Sequence, residues 1–351
     1  MTAAAPETRP NRRVAVVLMN LGGPDGPDAV KPFLFNLFND PAIIGLPGLI
    51  RTPLAKMISS RREQSAQANY ARMGGGSPLL PETEKQARAL EAALNATAPG
   101  DQTRVFIAMR YWKPFTADAA AAVADFQPDE VVLLPLYPQF STTTTTSSLK
   151  AWRETYRGPG ETHVVCCWPD DNGFVEAQAQ LIAEKLETAG DRRVRVLFSA
   201  HGIPEKLVRA GDPYQAQVEA TVAAVVERLG LVDWQICYQS RVGPLKWLGP
   251  STPEAIEQAA ADGVGAVVVP IAFVSEHIET LVELDHEYAE LAARLGCAPY
   301  LRAAAVGVAP AFIDGLAQIV RQSLDHTGAE PEAPSAGKPC AGFKACAGGC
   351  A

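Results

Sequence analysis

One short stretch of this chain, PIAFVSEHIETLVELDHEY from Pro270 to Tyr288, crowds histidine and carboxylates together. Glu276, His277, Glu279, Glu283 and Glu287 are residue types that bind a borderline metal ion, pass protons, or do both. An apolar run, Val264 to Val274, precedes them and stops at Ser275, which predicts a strand handing over to a helix. At 100° per residue, Glu276, Glu279, Glu283 and Glu287 share one stripe, while Ile278, Leu281, Val282 and Tyr288 face the other way. A solvated surface helix carries the same pattern, and early-turn glutamates also suit the positive end of a helix dipole. The stretch alone leaves both readings open.

Cysteine is the second chemistry-bearing residue type. Of the 7 cysteines, Cys166, Cys167, Cys237 and Cys297 lie in apolar segments, whereas Cys340, Cys346 and Cys350 crowd the C-terminus. In a reducing compartment such clustering favours a metal over a disulfide. The N-terminal MTAAAPETRPNRR is a polar arm without the apolar region of a secretion signal, so a cytoplasmic protein is expected. A net charge of −8 argues against a nucleic-acid partner, which needs a basic field. Apolar runs such as Val14 to Met19 are too short to span a bilayer.

The elements that must position these groups follow an α/β rhythm. Short β-branched runs recur at Arg13 to Met19, Val105 to Met109, Glu130 to Leu136 and His163 to Cys167. They recur again at Arg193 to Phe198, Trp234 to Tyr238, Val264 to Val274 and Pro299 to Ala305, mostly separated by alanine-rich helical stretches. This predicts two similar Rossmann-like domains, each a four-stranded parallel sheet flanked by helices, with the site in a cleft between them. The halves echo one another: Val16 to Pro24 parallels Val196 to Pro204, and Leu133 to Tyr137 parallels Val268 to Phe273. The expected division is an arm at 1–12, a first domain at 13–160 and a second at 161–305. A C-terminal helix at 306–326 and a linker with the cysteine tail at 327–351 complete it. A segment near 43–78 interleaves apolar residues with Arg51, Lys56, Arg61 and Arg62, as the lip of an apolar pocket or a membrane-surface segment does; a buried helix capped by basic residues fits as well. The run Gly74-Gly75-Gly76-Ser77-Pro78 lacks the lysine and spacing of a nucleotide-binding loop.

SAHGIP (Ser199 to Pro204), GDPY (Gly211 to Tyr214), QSRVGPLKWLGP (Gln239 to Pro250) and FVSEHIETLVELDHEY together resemble the ferrochelatases. LMNLGGP, MGGGSP, RYWKP and LYPQFSTTTTTSS are similar as well, and the likeness runs in order over residues 12 to 325. The resemblance implies a chelatase-like fold and insertion of Fe²⁺ into protoporphyrin IX with release of two protons, the last step of haem synthesis. It implies His201 as base and proximal iron contact, Glu279 as its partner across the ring, and Glu283, His277 and Glu276 extending an acidic line. A neutral imidazole is a natural proton acceptor near pH 7, and the small neighbours of His201 admit a flat ring. Leu21, Tyr111 and Trp247 are candidates to contact the macrocycle, and Arg72 and Arg110 to meet its propionates or to position the lip. For each aromatic, plain core packing is the competing explanation. Coproporphyrin as substrate, and a non-catalytic haem or porphyrin carrier, are the alternatives.

The resemblance also implies a [2Fe-2S] cluster on Cys340, Cys346 and Cys350 with one remote cysteine, Cys167 or Cys166. In the animal-type pattern that remote ligand follows the Trp-Pro matching Trp168-Pro169, where this chain has no cysteine. Zinc on the same thiolates is the rival, and an unliganded tail the simplest outcome. The implied location is cytoplasmic, with the lip as a peripheral contact with the inner membrane. Oligomeric state is left open, a homodimer included.

Overall fold

The computed structural model describes residues 11–241 and 245–325. Cys340, Cys346 and Cys350, with the expected linker, and residues 1–10 of the expected arm lie outside the described residues. The strands are β1 (Arg13–Asn20), β2 (Gln102–Met109), β3 (Glu130–Pro135), β4 (Glu161–Val164), β5 (Val194–His201), β6 (Trp234–Gln239), β7 (Gly265–Pro270) and β8 (Tyr300–Arg302). The helices that precede β2 are α1 (Val30–Phe38), α2 (Gly48–Ala71) and α3 (Leu79–Thr97). Then come α4 (Thr116–Phe126), α5 (Thr145–Thr155), α6 (Asn172–Ala189), α7 (Glu205–Arg209), α8 (Tyr214–Leu229) and α9 (Thr252–Ala261). A π-helix (Glu279–Glu287) runs into α10 (Tyr288–Leu295), and α11 (Pro310–Asp325) follows β8.

Two parallel four-stranded sheets form, in the orders β2-β1-β3-β4 and β6-β5-β7-β8. The orders are the same once the second half is renumbered, so β1 corresponds to β5 and β3 to β7, which are the pairs that the faint sequence echo aligned. The near-continuous valine and leucine of β1 and β3 have the burial that a sheet covered on both faces demands.

Several boundaries differ from expectation. The run at Val264 to Val274 ends as a strand at Pro270, and the helix starts at Ile278 rather than Ser275, so Glu276 and His277 sit in a connecting loop. The run at His163 to Cys167 pairs earlier, as Glu161–Val164. Because that strand bonds to β3, the first sheet extends past the expected boundary at residue 160. Proximity in sequence to the second half misled here, since β4 is the last strand of the first sheet.

The halves are joined by buried polar groups. Gln86 of α3 donates to the Val274 and Gly307 carbonyls at 2.8 and 2.9 Å and accepts from Ser275 at 3.2 Å. Asp212, in the GDPY motif, accepts from the Ser141 hydroxyl at 3.0 Å and from the Thr142 amide and hydroxyl at 2.8 and 2.7 Å. Gln217 accepts from the Phe140 amide at 2.6 Å, and Gln139 donates to Thr221 at 2.9 Å. Each bond contributes about 1 kcal/mol net, and losing one partner strands the other in the interior. Two helices also bridge the halves. Phe174 and Ala177 of α6 join the core under the first sheet, while its Val175 and Ile182 join the second. Helix α11 lies against both α3 and α6.

Close approach of α6 and α11 depends on a glycine pair. A Cβ on Gly173 would fall 2.2 Å from the Ala311 carbonyl oxygen and 2.8 Å from Gly315 Cα. Gly173→Ala is therefore expected to destabilise the protein by about 1–3 kcal/mol, read as a lowered denaturant midpoint. Gly26→Ala, at a site with nothing within 4 Å, should change stability by less than about 0.5 kcal/mol.

Candidate active site

The carboxyl ends of β5, β6 and β7 converge on one set of polar groups. β5 ends at His201, whose register partner at the end of β6 is Gln239. His201 Nδ1 lies 2.8 Å from Glu279 Oε2, in the first turn of the π-helix. With the carboxylate ionised, Nδ1 carries the hydrogen and donates it, so the lone pair of neutral His201 is on Nε2. The two residues that the resemblance names as partners are thus in direct contact. The His201 side chain stays 39% exposed, which keeps it open to an incoming molecule.

Burial and charge divide the titrations. Burial pulls the His201 imidazole down, but the charge and hydrogen bond of Glu279, aided by Glu283, outweigh it and leave the group above its ordinary value. Burial raises the Glu279 carboxyl, yet contact with His201 and the nearby His277 bring it down to about 2. Glu283 makes no hydrogen bond to His201, which lowers it only from a distance. Burial and the Glu279 charge push it up to about 7, against the opposing hydrogen bond from Ser240. Ser240 lies 2.9 and 2.8 Å from the two carboxylate oxygens of Glu283, and Gln239 Nε2 donates to one of them at 3.3 Å. Ser240 takes the left-handed φ of +63°, a strained choice for a non-glycine residue.

The π-helix changes which residues meet. Its i to i+5 spacing brings the Tyr288 hydroxyl over Glu283, 3.4 Å away, whereas the α-helical period sets Tyr288 on the opposite side. Glu276 leaves the acidic line altogether. Its carboxylate accepts from Arg302 at 2.8 and 3.1 Å and from the Ala305 amide at 2.9 Å. Glu287 is exposed. Of the predicted stripe, only Glu279 and Glu283 gather at His201. His277 is buried, its ring 4.5 Å from that of Phe273, and Nδ1 bonds to no described residue. Burial holds His277 below its ordinary value, hence neutral.

The first half supplies the facing wall. Leu21 packs with Val30, Phe33, Tyr70 and Tyr111, and Ile278, next to Glu279 in sequence, enters the same cluster. Burial and then the charge of Glu279 raise the Tyr70 phenol, so that ring also lies near the acidic turn. Tyr111 is 1% exposed and donates to Asp40 at 2.9 Å, so it packs as core. Arg110 donates to Asp40 at 2.7 Å and to Ser147 at 2.8 Å, which leaves its charge largely compensated. Arg72 is exposed at the end of α2. Trp247 bridges to Pro204, and its ring comes so close that a Cβ on Gly202 would sit 3.3 Å from it. Asp40 carries no sequence signal of its own; Ser147 lies in LYPQFSTTTTTSS and Ser240 in QSRVGPLKWLGP, but neither motif marks out the individual serine.

Two other features stand apart from the His201 and Glu279 pair. An open depression of about 550 Å³ is lined by Glu205, Arg241, Lys246 and Trp247 among others, but not by His201 or Glu279. Glu130, Glu161 and His163 bring three ligand atoms within 4.8 Å at the opposite ends of β3 and β4, where Arg12 already stands 3.7 Å from Glu130. The candidate remote cysteines, Cys166 and Cys167, are buried with their sulfurs 3.5 Å apart, and Gln217 donates to Cys167 at 3.3 Å.

Comparison with known proteins bears on this geometry. The ferrochelatase family model matches residues 13–324. A ferrochelatase of Caulobacter vibrioides is 65% identical over 315 residues, 89% of this chain and 91% of that protein. One from Phenylobacterium zucineum is 61% identical over 324 residues, covering 92% and 94% of the two chains. One from Pelagibacter ubique is 45% identical over 337 residues, covering 95% and 97%. Among solved structures, a multi-domain protein of Deinococcus radiodurans with structural similarity to chelatases has a TM-score of 0.51 at 15% identity, over 87% of this chain and 54% of that one. SirB from Bacillus subtilis with Fe³⁺ has a TM-score of 0.50 at 12% identity, over 89% and 95%. At such identities the structures speak to the fold alone, and they agree with it.

The pairing of His201 with Glu279 is directly measurable. The carboxylate stabilises the imidazolium, so removing it should lower the His201 titration. In Glu279→Gln, ring NMR is expected to show His201 titrating about 1–3 pH units below wild type. An unchanged or higher midpoint would contradict the pairing.

Proposed function

The chain belongs to the ferrochelatase family and inserts ferrous iron into a porphyrin in haem synthesis, and from that premise we propose how its residues divide the work. The observation that carries the proposal is the 2.8 Å contact of His201 with Glu279, with Glu283 behind it on the same helix.

In this reading His201 accepts a pyrrole proton on Nε2 and meets the incoming Fe²⁺, which is a substrate. Glu279, at about 2, is a poor proton carrier at neutral pH; it remains ionised, steadies the imidazolium and offers charge to the iron. Glu283, at about 7, exchanges a proton readily and is the better relay to solvent. His277, neutral and beside Glu279, is a further stop on the same line. A porphyrin carrier has no use for such a graded set of acids. His201→Ala is expected to lower kcat for anaerobic Fe²⁺ insertion by about 10²–10⁴-fold, followed by absorbance. Wild-type turnover in that variant would refute the role.

We propose protoporphyrin IX as the porphyrin. Its two propionates ask for fewer cations than the four of coproporphyrin, and Arg110 is already held by Asp40, leaving Arg72 as the candidate partner at the lip. Leu21 and Trp247 would pack on the macrocycle. Insertion faster with coproporphyrin at saturating substrate would reverse this assignment.

The lip exposes Ile43, Leu46, Leu49, Ile50 and Met57, with Leu49 at 94%. Together with Arg51, Lys56, Arg61 and Arg62 it suits peripheral contact with an anionic membrane from the cytoplasmic side. No helix among the described residues is long and apolar enough to cross a membrane. Leu49→Glu should reduce co-sedimentation with anionic vesicles. A concentration-dependent dimer abolished by the same change, with no vesicle binding, would assign the face to a second copy instead.

For the tail we propose a [2Fe-2S] cluster on Cys340, Cys346, Cys350 and Cys167. The Gln217 N–H directed at the Cys167 sulfur supports that choice, because donors to sulfur suit a thiolate ligand. Such a cluster would supply a one-electron centre. Anaerobically purified protein should show visible absorption with about two irons and two sulfides per chain, lost in Cys340→Ser. A colourless protein with stoichiometric zinc would decide for the rival.

A further inference from the structure

Behind the His201 and Glu279 pair lies a buried row of polar groups that the proposed steps do not use. Ser199, two residues before His201 on β5, and Thr252, the first residue of α9, are fully buried, and Gln239 is 1% exposed. Ser199 Oγ lies 2.7 Å from Gln239 Oε1 and 2.8 Å from Thr252 Oγ1. At its other end Gln239 donates through Nε2 to the Glu279 carbonyl at 3.2 Å and to Glu283 Oε2 at 3.3 Å. Thr252 also lies 3.4 Å from Cys237 Sγ, whose thiol points to the Phe198 carbonyl at 3.6 Å.

The directions of the Gln239 bonds are forced. The Glu279 carbonyl can only accept, so the amide nitrogen of Gln239 must face it. The amide oxygen therefore faces Ser199, whose single hydroxyl hydrogen must be given to it. That leaves the Ser199 oxygen as acceptor toward Thr252, whose single hydroxyl hydrogen is divided between Ser199 and the Cys237 sulfur. Turned over, the amide would set its oxygen against the Glu279 carbonyl, two acceptors in contact out of water.

We propose that Ser199, backed by Thr252, is a positioning residue for iron insertion: it fixes the amide of Gln239, and Gln239 in turn bolts the first turn of the π-helix, through the Glu279 carbonyl and the Glu283 carboxylate, to the end of β6. The bolt crosses from the strand that adjoins His201 to the helix that carries its partner. It therefore sets the separation of His201 from the acidic line without touching substrate. Strand β5 thus serves the site twice, with His201 at its tip and Ser199 one pleat behind. The inference rests on Glu279 and Glu283 serving the insertion, as proposed above.

A double-mutant cycle tests it on the full-length protein, with anaerobic Fe²⁺ insertion as the readout and kcat and porphyrin KM determined separately. Ser199→Ala and Gln239→Met are each expected to lower kcat by about 10–100-fold with porphyrin KM unchanged. The double variant should be no slower than Gln239→Met alone, within about 2-fold, because Ser199 acts only through Gln239. Losses that multiply in the double variant, or single variants with wild-type kcat, overturn the proposal. Should Ser199→Ala fail to fold by circular dichroism, Gln239→Met decides: lowered kcat with unchanged porphyrin KM supports the bolt, and unchanged kcat overturns it. Glu283→Gln separates the two levels. Wild-type kcat in Glu283→Gln sinks the relay, whereas a loss there with none in Gln239→Met sinks only the bolt.

Discussion

Two carboxylates on successive turns of one helix cannot both stay ionised away from water unless a strong hydrogen-bond donor stands beside one of them. Glu279 has that partner in His201, and Glu283 does not. The same electrostatic constraint therefore fixes three properties together: an acid held ionised, an imidazole more basic than usual, and a second acid poised to exchange a proton near neutrality. Each follows from where the others stand. Removing the charge of Glu279 would leave His201 with burial opposed only by the lesser pull of Glu283, and would relieve Glu283 of its main repulsion.

The backbone serves that constraint from two directions. Strand β5 delivers His201 from one side, and the connection out of β7 delivers Glu279 and Glu283 from the other. An α-helix would turn the Tyr288 hydroxyl away from Glu283; the wider π turn brings it over the carboxylate. The wider turn also costs backbone stability, which accords with π-helices being uncommon away from functional sites. Packing of Ile278 against the buried cluster that includes Phe33 and Tyr70 ties this helix start to the first half. The buried amides of Gln86, Gln139 and Gln217 hold the halves so that the contact persists.

Much of the architecture was legible because β-branched runs mark parallel strands clearly, and their ends carried the unusual residues His201, Gln239 and Glu279. The internal echo even paired β1 with β5 and β3 with β7. What could not be read was set by distant partners. Glu276 belonged to the acidic stripe by periodicity, but Arg302 on β8 claims it. Asp40 is one acid among many in sequence, and becomes a buried anchor for Arg110, Tyr111 and Ser147 only once α1, β2 and α5 meet. The π turn escaped because a periodicity argument assumes the α-helical repeat from the start. Aromatic type alone could not separate Tyr111, which packs as core, from Trp247, which stands against Gly202.

The central claim is that Glu283 holds a proton in the resting protein near neutral pH while Glu279 does not. Difference infrared spectroscopy of wild type against Glu283→Gln reads this directly, through the carbonyl stretch of a protonated carboxyl group. The account predicts a band present at pH 6, absent in Glu283→Gln, and titrating at about 7. A Glu283 that titrates at an ordinary carboxylate value of roughly 4.3, with no protonated band at pH 6, would contradict it.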